Sequence, residues 1–258
     1  MDVIAAAPGF RRRHAEVVGS TNVEAIEAAR AGDPGRIWFT ASRQMAGRGR
    51  RGRTWVSEGG NLYASVLLID PCPPRRLGDL PMLCCVALAD AVEAATGRLG
   101  WVSIKWPNDL LIEGAKISGI LLESETMADG RLAVVAGFGV NCSHHPGSAL
   151  YPTIDLAALG YRVAPDTMLS FLAAAMASRL DEWRAGEGFG AIRASWLKRC
   201  VGLGGPVTVR LPDREIEGIF RALDEDGQLL LETSSGTMTI SAGDVFFDNA
   251  SGRNKEST

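Results

Sequence analysis

Residues 101–123 read WVSIKWPNDLLIEGAKISGILLE, and this stretch decides the fold. Trp101 to Trp106 alternates apolar and polar residues, the period of a strand with one buried face. Pro107 ends it, because the proline ring forces the residue before it into an extended conformation. Leu110 to Ile112 and Ala115 to Glu123 read as two further strands turned around Glu113-Gly114. Strands this close together can be joined only as hairpins, so at least part of the sheet is antiparallel. Working outward, Ile37 to Ser42, Leu62 to Ile69 and Leu132 to Val140 are also strand-like. Thr21-Asn22-Val23-Glu24 reads as a capping box, with Ser20 beside it, opening a helix that stops at Gly32. Leu77 to Thr96 reads as a long helix with Pro81 near its first turn and Gly97 at its end. Asp166 to Arg184 and Ala191 to Arg199 are amphipathic. Helices mixed with hairpin-linked strands predict an α+β fold over a doubly wound parallel sheet.

The texture changes after Gly202 to Gly205. Short strands follow at Val207 to Leu211, Glu215 to Leu223, Leu229 to Glu232 and Thr237 to Ile240, and about forty-five residues of this kind predict a small β-barrel. The expected organisation is a catalytic domain over 1–201, a small barrel over 202–248 and a disordered polar tail over 249–258.

Composition narrows the function. The chain has 258 residues, 46% of them apolar, and a net charge of −3. A general nucleic-acid binder would be basic throughout, whereas here the positive charge is local. Only four of the 27 basic residues are lysines (Lys105, Lys116, Lys198 and Lys255), so a lysine inside a motif carries more information than an arginine. Five cysteines without a CxxC fit a reducing, cytoplasmic compartment. Three histidines (His14, His144 and His145) lack metal-ligand spacing, so no transition-metal site is expected. No signal peptide and no apolar run of membrane-spanning length is present. The Arg11-Arg12-Arg13 run reads as a solvated edge.

Four segments carry chemistry. Residues 47–53, GRGRRGR, alternate Arg48, Arg50, Arg51 and Arg53 with three glycines. The glycines let backbone N–H groups approach a ligand, and the arginine forks match phosphate or carboxylate oxygens. The segment is neither a Walker A loop nor a dinucleotide turn, and alone it would also suit a flexible basic surface loop or an RNA-contacting segment. Lys105-Trp106-Pro107-Asn108-Asp109 clusters a lysine, an amide and a carboxylate at one turn, and the hairpin that follows folds Lys116 back toward Asp109. By itself this pair could be incidental. In Gly137-Phe138-Gly139-Val140-Asn141 the strand glycines mark close approach by a ligand or another backbone. A bulge closed by Asn141 would look the same. Ser20-Thr21-Asn22 sits at a helix start, where such residues cap and free N–H groups can bind an anion.

In this order, GRGRRGR with Trp55, KWPNDLL, KISGILLE and GFGVN resemble the biotin protein ligase family over roughly residues 15–248. The resemblance implies a mixed sheet with flanking helices, of the class II aminoacyl-tRNA synthetase/biotin ligase type, followed by an SH3-like barrel. It implies that ATP and biotin give biotinoyl-AMP and pyrophosphate, and that a lysine of a biotin carboxyl carrier protein domain then takes the biotin. Mg²⁺ would arrive with ATP, held largely by phosphates. By position, Ser20, Thr21, Asn22 and Gln44 would bind the biotin ureido ring, and Arg48, Gly49 and Arg50 would bind biotin and phosphate from the loop. Lys105 would meet the carboxylate and α-phosphate. Asp109 and Lys116 match positions implicated in catalysis, Asp109 orienting or deprotonating the acceptor lysine and Lys116 assisting phosphate chemistry. Trp55 and Asn141 would face the nucleotide. Residues 142–153 would cover the adenylate, with Tyr151 as an aromatic lid. About fifteen residues precede the match, too few for the winged-helix domain of some members, so neither DNA binding nor repression is expected. The family allows a homodimer. Asp248 falls where some members place an arginine near adenine. The alternative reading is a lipoate or octanoate ligase or transferase, whose arginine loop is usually of a Ser-Gly-Gly-Gly type.

Overall fold

The structure, a computed structural model, describes residues 2–147 and 151–247. Its larger sheet has eight strands: β1 (Asp2–Val3), β2 (Arg11–Val18), β3 (Ile37–Gln44), β4 (Leu62–Ile69), β5 (Val102–Lys105), β6 (Asp109–Ile112), β7 (Ala115–Thr126) and β8 (Leu132–Val140). Their spatial order is β1-β2-β3-β4-β8-β7-β6-β5. Only the β2–β3 pair is parallel, which makes the sheet mixed.

The hairpin expected at Glu113-Gly114 is present. Both residues lie in the left-handed region, with φ of 52° and 79°, the twist that a two-residue turn between strands requires. The register then slips: Ile112 faces Ala115 and Leu111 faces Lys116, whereas Leu110 faces Ser118 and Asp109 faces Gly119. This bulge inserts Ile117 into β7. It sends Ile117 into the core and turns Lys116 onto the face that carries Asp109.

The two faces of the sheet have different jobs. One carries Trp38, Ala64, Val66, Val134, Ala136, Phe138 and Ile120 into the main core. Over it lie α2 (Leu80–Thr96), α3 (Pro165–Trp183) and α4 (Phe189–Leu197). The other face packs Ile37, Phe39, Leu67, Ala133 and Val135 against Ala25 and Ala29 of α1 (Thr21–Arg30) at one end only. The remainder of that face, where Gly119, Gly137 and Gly139 offer no side chain, is left for the site.

Three sequence expectations need correction. Thr21 and Asn22 lie inside α1, the N-cap is Ser20, and no side chain caps the helix. The Thr21 and Asn22 side chains turn instead into the polar network described below. The long helix starts at Leu80, after a 3₁₀ segment at Pro74–Asp79. Arg11-Arg12-Arg13 is not a free edge but the start of β2, with Arg11 paired to Asp33 and Arg12 to Asp166, both at 2.6 Å.

The second sheet is antiparallel, with β9 (Pro206–Arg210), β10 (Glu215–Leu223), β11 (Leu229–Thr233), β12 (Gly236–Ile240) and β13 (Asp244–Phe247) in the order β12-β11-β10-β9-β13. Among the described residues its edge strands β12 and β13 do not pair, so the sheet is open where a closed barrel was expected. Its apolar face, including Val209, Phe220 and Leu231, is continuous with the main core. Asp248 and the tail from 249 lie outside the described residues.

One buried group anchors α3 to the start of α2. Asp79 is 2% exposed; it accepts a hydrogen bond from Trp183 Nε1 at 2.7 Å and pairs with Arg76 at 2.7 Å. Asp79→Ala would leave the indole N–H without its acceptor and take from Arg76 its buried carboxylate, with only the Gly186 carbonyl at 3.3 Å and Asp226 at 3.8 Å remaining. A loss of about 2–4 kcal/mol is expected, read as a lower urea midpoint.

Candidate active site

A cavity opens on the glycine-bearing face of the larger sheet. It lies between the start of α1, the end of β3, strands β7 and β8, and the arginine–glycine loop that follows β3. The alternation of the strands builds its floor. Gly119 pairs with Gly139, and Leu121 pairs with Gly137. A Cβ at Gly139 would fall 2.4 Å from the Trp55 ring, and one at Gly137 would fall 2.1 Å from Asn22 Oδ1. The glycines therefore exist to let Trp55 and Asn22 reach the sheet.

One end of the cavity is an uncharged donor–acceptor array. Thr21 donates to Gln44 Oε1 from its backbone N–H at 2.9 Å and from Oγ1 at 3.1 Å. Gln44 Nε2 donates to Ser57 Oγ at 3.0 Å. Ser65 Oγ lies 2.7 Å from Thr21 Oγ1 and 2.6 Å from Asn22 Oδ1. Asn22 Nδ2 donates to Glu123 Oε2 at 2.7 Å. Ser20, Thr21 and Asn22 are all buried. Buried polar groups held this way present fixed partners to a ligand with matching donors and acceptors.

The other end is cationic. Arg48 pairs with Glu123 at 3.0 Å. Arg50 donates to Asn108 Oδ1 at 2.9 Å and to the Gly243 carbonyl at 3.2 Å. Lys116 Nζ lies 2.7 Å from Asp109 Oδ1, as the bulge in β7 dictates, with the Trp55 and Tyr151 rings 5.6 and 5.2 Å away. Lys105 projects into an adjoining cleft, its ammonium 5.3–5.7 Å from the rings of Tyr151, Phe246 and Phe247. Burial lowers the pKa of Lys105, an effect opposed by Asp109 and reinforced by Lys116. Burial also lowers that of Arg50, opposed by Asp244.

The loop over the cavity has an internal structure that its composition does not announce. Arg48 and Thr54 form a bridge, Gly49 N–H donates to Arg53 O at 2.7 Å, and Trp55 N–H donates to Gly47 O at 2.9 Å. At the tip, Arg51 and Gly52 take φ of 55° and 71°.

Of the residues singled out from sequence, Ser20, Thr21, Asn22, Gln44, Arg48, Gly49, Arg50, Trp55, Asp109 and Lys116 line this one cavity. Lys105 sits next door, with Arg50, Asp109 and Tyr151 shared between the two spaces. Asn141 does not line either. It is 3% exposed, and its Nδ2 donates to the Ile154 carbonyl at 3.0 Å, which ties down the segment after the lid. Residues 148–150 of that lid lie outside the described residues. Sequence reasoning missed Ser65, Glu123 and Asp244, and it put Asn108 at the turn with Lys105 and Asp109 without giving it a role. Ser65 and Glu123 could have been found by strand parity, since each shares a face with the glycines of its neighbour.

Comparison with known proteins gives a consistent picture. Residues 24–141 match the biotin/lipoate A/B protein ligase family, and residues 202–248 match the biotin protein ligase C-terminal domain. The chain is 38% identical to a biotin--[acetyl-CoA-carboxylase] ligase of Paracoccus denitrificans, covering 88% of this chain and 97% of that protein. It is 32% identical to the Mycobacterium tuberculosis protein of the same name, covering 94% and 91%. Among solved structures, the biotin protein ligase of Aquifex aeolicus in complex with biotin and ATP superposes with a TM-score of 0.77 at 26% identity, covering 92% of this chain and 97% of that one.

Proposed function

The chain belongs to the biotin/lipoate A/B protein ligase family, and on that premise we propose how its cavity works as that of a biotin protein ligase. The enzyme joins biotin to ATP, releasing pyrophosphate, and passes the biotinoyl group to a lysine. The observation that carries the choice of biotin is the uncharged array of Thr21, Asn22, Gln44 and Ser65. A ureido ring has two N–H donors and one carbonyl acceptor to satisfy such groups. A dithiolane or an alkyl chain has neither, so it would cover these groups without returning a hydrogen bond to any of them.

In the first half-reaction a biotin carboxylate oxygen attacks the α-phosphorus of ATP, and the bond to the pyrophosphate oxygen breaks. Two anions must meet, so the site supplies positive charge and no covalent nucleophile. Arg48, Arg50 and Lys116 surround the cavity end where the carboxylate and α-phosphate would lie, and Lys105 adds charge from the adjoining cleft. Trp55 and Tyr151 offer aromatic faces to the nucleotide, and Asn141 acts at one remove by fixing the segment after the lid. In the second half-reaction the carrier amine attacks the acyl carbon and AMP leaves. Asp109 is the carboxylate placed to orient that amine or take its proton once Lys116 turns to phosphate. Among the described residues no group of three His, Cys, Asp or Glu side chains could hold a metal ion. A magnesium ion arriving with ATP would have phosphate oxygens as ligands, and no residue here is assigned to it.

The acceptor is proposed to be a carrier domain of a carboxylase, and the compartment the cytoplasm, where thiols such as Cys84 and Cys142 stay reduced. Labelled biotin, MgATP and a carrier domain should give a labelled lysine, with octanoate in the same assay giving none. Labelling by octanoate but not biotin would reverse the assignment. Arg48→Ala should speed release of the bound intermediate by about tenfold or more, since a charge-assisted hydrogen bond is worth about 1.5–3 kcal/mol. Release at the wild-type rate would remove Arg48 from its role.

A further inference from the structure

Three guanidinium groups converge on one carboxylate at the junction of the two sheets. Asp244, the first residue of β13, has a side chain 13% exposed. Arg50 NH1 lies 3.7 Å from it and Arg51 NH1 3.3 Å, and Arg53 NH2 is hydrogen-bonded to it. Two of these arginines also donate to second-sheet carbonyls, Arg50 to Gly243 at 3.2 Å and Arg51 to Arg210 at 3.3 Å. All three belong to the loop that roofs the cavity. The fourth, Arg48, is held at the other end by Glu123 on β7. The closed loop thus spans two carboxylates, one on each sheet. Lys105 lies beside the same strand, against Phe246 and Phe247.

Charge makes Asp244 the sensitive member. Three like charges are crowded around one opposite charge, and removing it leaves them repelling one another in a partly buried place. The carbonyl contacts alone do not offset that repulsion. We propose that Asp244 is a positioning residue that gathers Arg50, Arg51 and Arg53 and holds the arginine–glycine loop closed against the second sheet. Retention of the reactive adenylate then depends on the second sheet as well as on the first. That last consequence rests on the reading of the site as a biotin protein ligase, whereas loop closure itself does not.

Hydrogen exchange on the ligand-free full chain tests it. The amides of Gly49, Arg53 and Trp55 donate only within the loop, at 2.7, 3.2 and 2.9 Å. In Asp244→Asn they should exchange about tenfold faster or more, while β8 amides keep their protection. Asp244→Glu should restore slow exchange. Raising salt to about 1 M should loosen the wild-type loop more than that of the Asn variant: the Arg48–Glu123 pair is screened in both, but at Asp244 salt weakens attraction in the wild type and weakens the repulsion among the three arginines in the variant. A merely structural role would not respond to salt in this way. Wild-type loop exchange in Asp244→Asn would overturn the proposal. If that variant loses β8 protection too, the Arg51→Gln/Arg53→Gln pair replaces it; faster loop exchange supports the latch, and unchanged exchange overturns it. In the same variants, bound biotinoyl-AMP should dissociate faster by a similar factor. Loop opening with no adenylate formed by any variant or by wild type would keep the latch and sink the functional reading instead.

Discussion

Replacing Lys116 with glutamine is expected to slow adenylate formation by about 10²–10³-fold, the usual loss when one preorganised group facing developing charge is removed. Biotin affinity should change far less, because the residues that define the polar end of the cavity, Thr21, Asn22, Gln44 and Ser65, do not touch Lys116. The bulge between Leu110 and Leu111 puts the Lys116 ammonium on the cavity side, 2.7 Å from Asp109. Its side chain is only 11% exposed, so water screens it poorly. Asp109 in the variant is left without its cation, so transfer to the carrier lysine should also suffer. Biotin-dependent pyrophosphate release in a single turnover measures the first effect. A rate within about threefold of wild type, well under the loss expected for a group at the transition state, would place the charge neutralisation elsewhere.

Much of this site was legible in the sequence because it lies on continuous stretches. Lys105, Asp109 and Lys116 are close in the chain, and two hairpins bring them close in space. The same locality made β5 to β8 readable, as did the turn at Glu113-Gly114, where both residues adopt positive φ. What failed was what depends on distant partners. β2 escaped notice because it begins with three arginines, which read as solvent-facing. It is a strand through its parallel pairing with β3 and the acids that Arg11 and Arg12 find at Asp33 and Asp166. Thr21 and Asn22 looked like cap residues because a helix start is a sufficient local reason for them. Their true partners, Gln44, Ser65 and Glu123, are between 23 and 101 positions away. Glu123 closes the KISGILLE stretch without being marked out within it, and Asp244 lies in none of the four motifs. Their importance comes from the arginines that the folded chain brings to them.

The second large effect is expected at Gly137. Its φ is not positive, so alanine strains no backbone, and the consequence is steric alone. The new Cβ would sit 2.1 Å from Asn22 Oδ1 and 2.9 Å from Asn22 Cγ. Asn22 cannot simply move aside. Its Oδ1 accepts from Ser65 and its Nδ2 donates to Glu123, which also holds Arg48. Displacing one amide thus disturbs the polar end of the cavity and one anchor of the loop. Biotin affinity is expected to fall about 100-fold, the equivalent of roughly two lost hydrogen bonds to buried groups. Stability should fall by about 1–3 kcal/mol, as for other overpacked sites. Gly119→Ala is the comparison: its Cβ meets Trp55 at 3.0 Å and the end of the Lys116 side chain at 3.4 Å. Trp55 belongs to the loop and can yield, so biotin binding should suffer less. Calorimetric titration with biotin separates the two variants, and equal losses would contradict the assignment of Asn22 to the biotin end.

The central claim is that this cavity makes and keeps biotinoyl-AMP. The direct measurement is mass spectrometry of the small molecules retained by the protein after incubation with biotin and MgATP, with no acceptor present. The account predicts biotinoyl-AMP bound at close to one per chain, with an equal amount of pyrophosphate released and neither formed when octanoate replaces biotin. Octanoyl-AMP in place of biotinoyl-AMP, or no adenylate and no pyrophosphate with either acid, would contradict it.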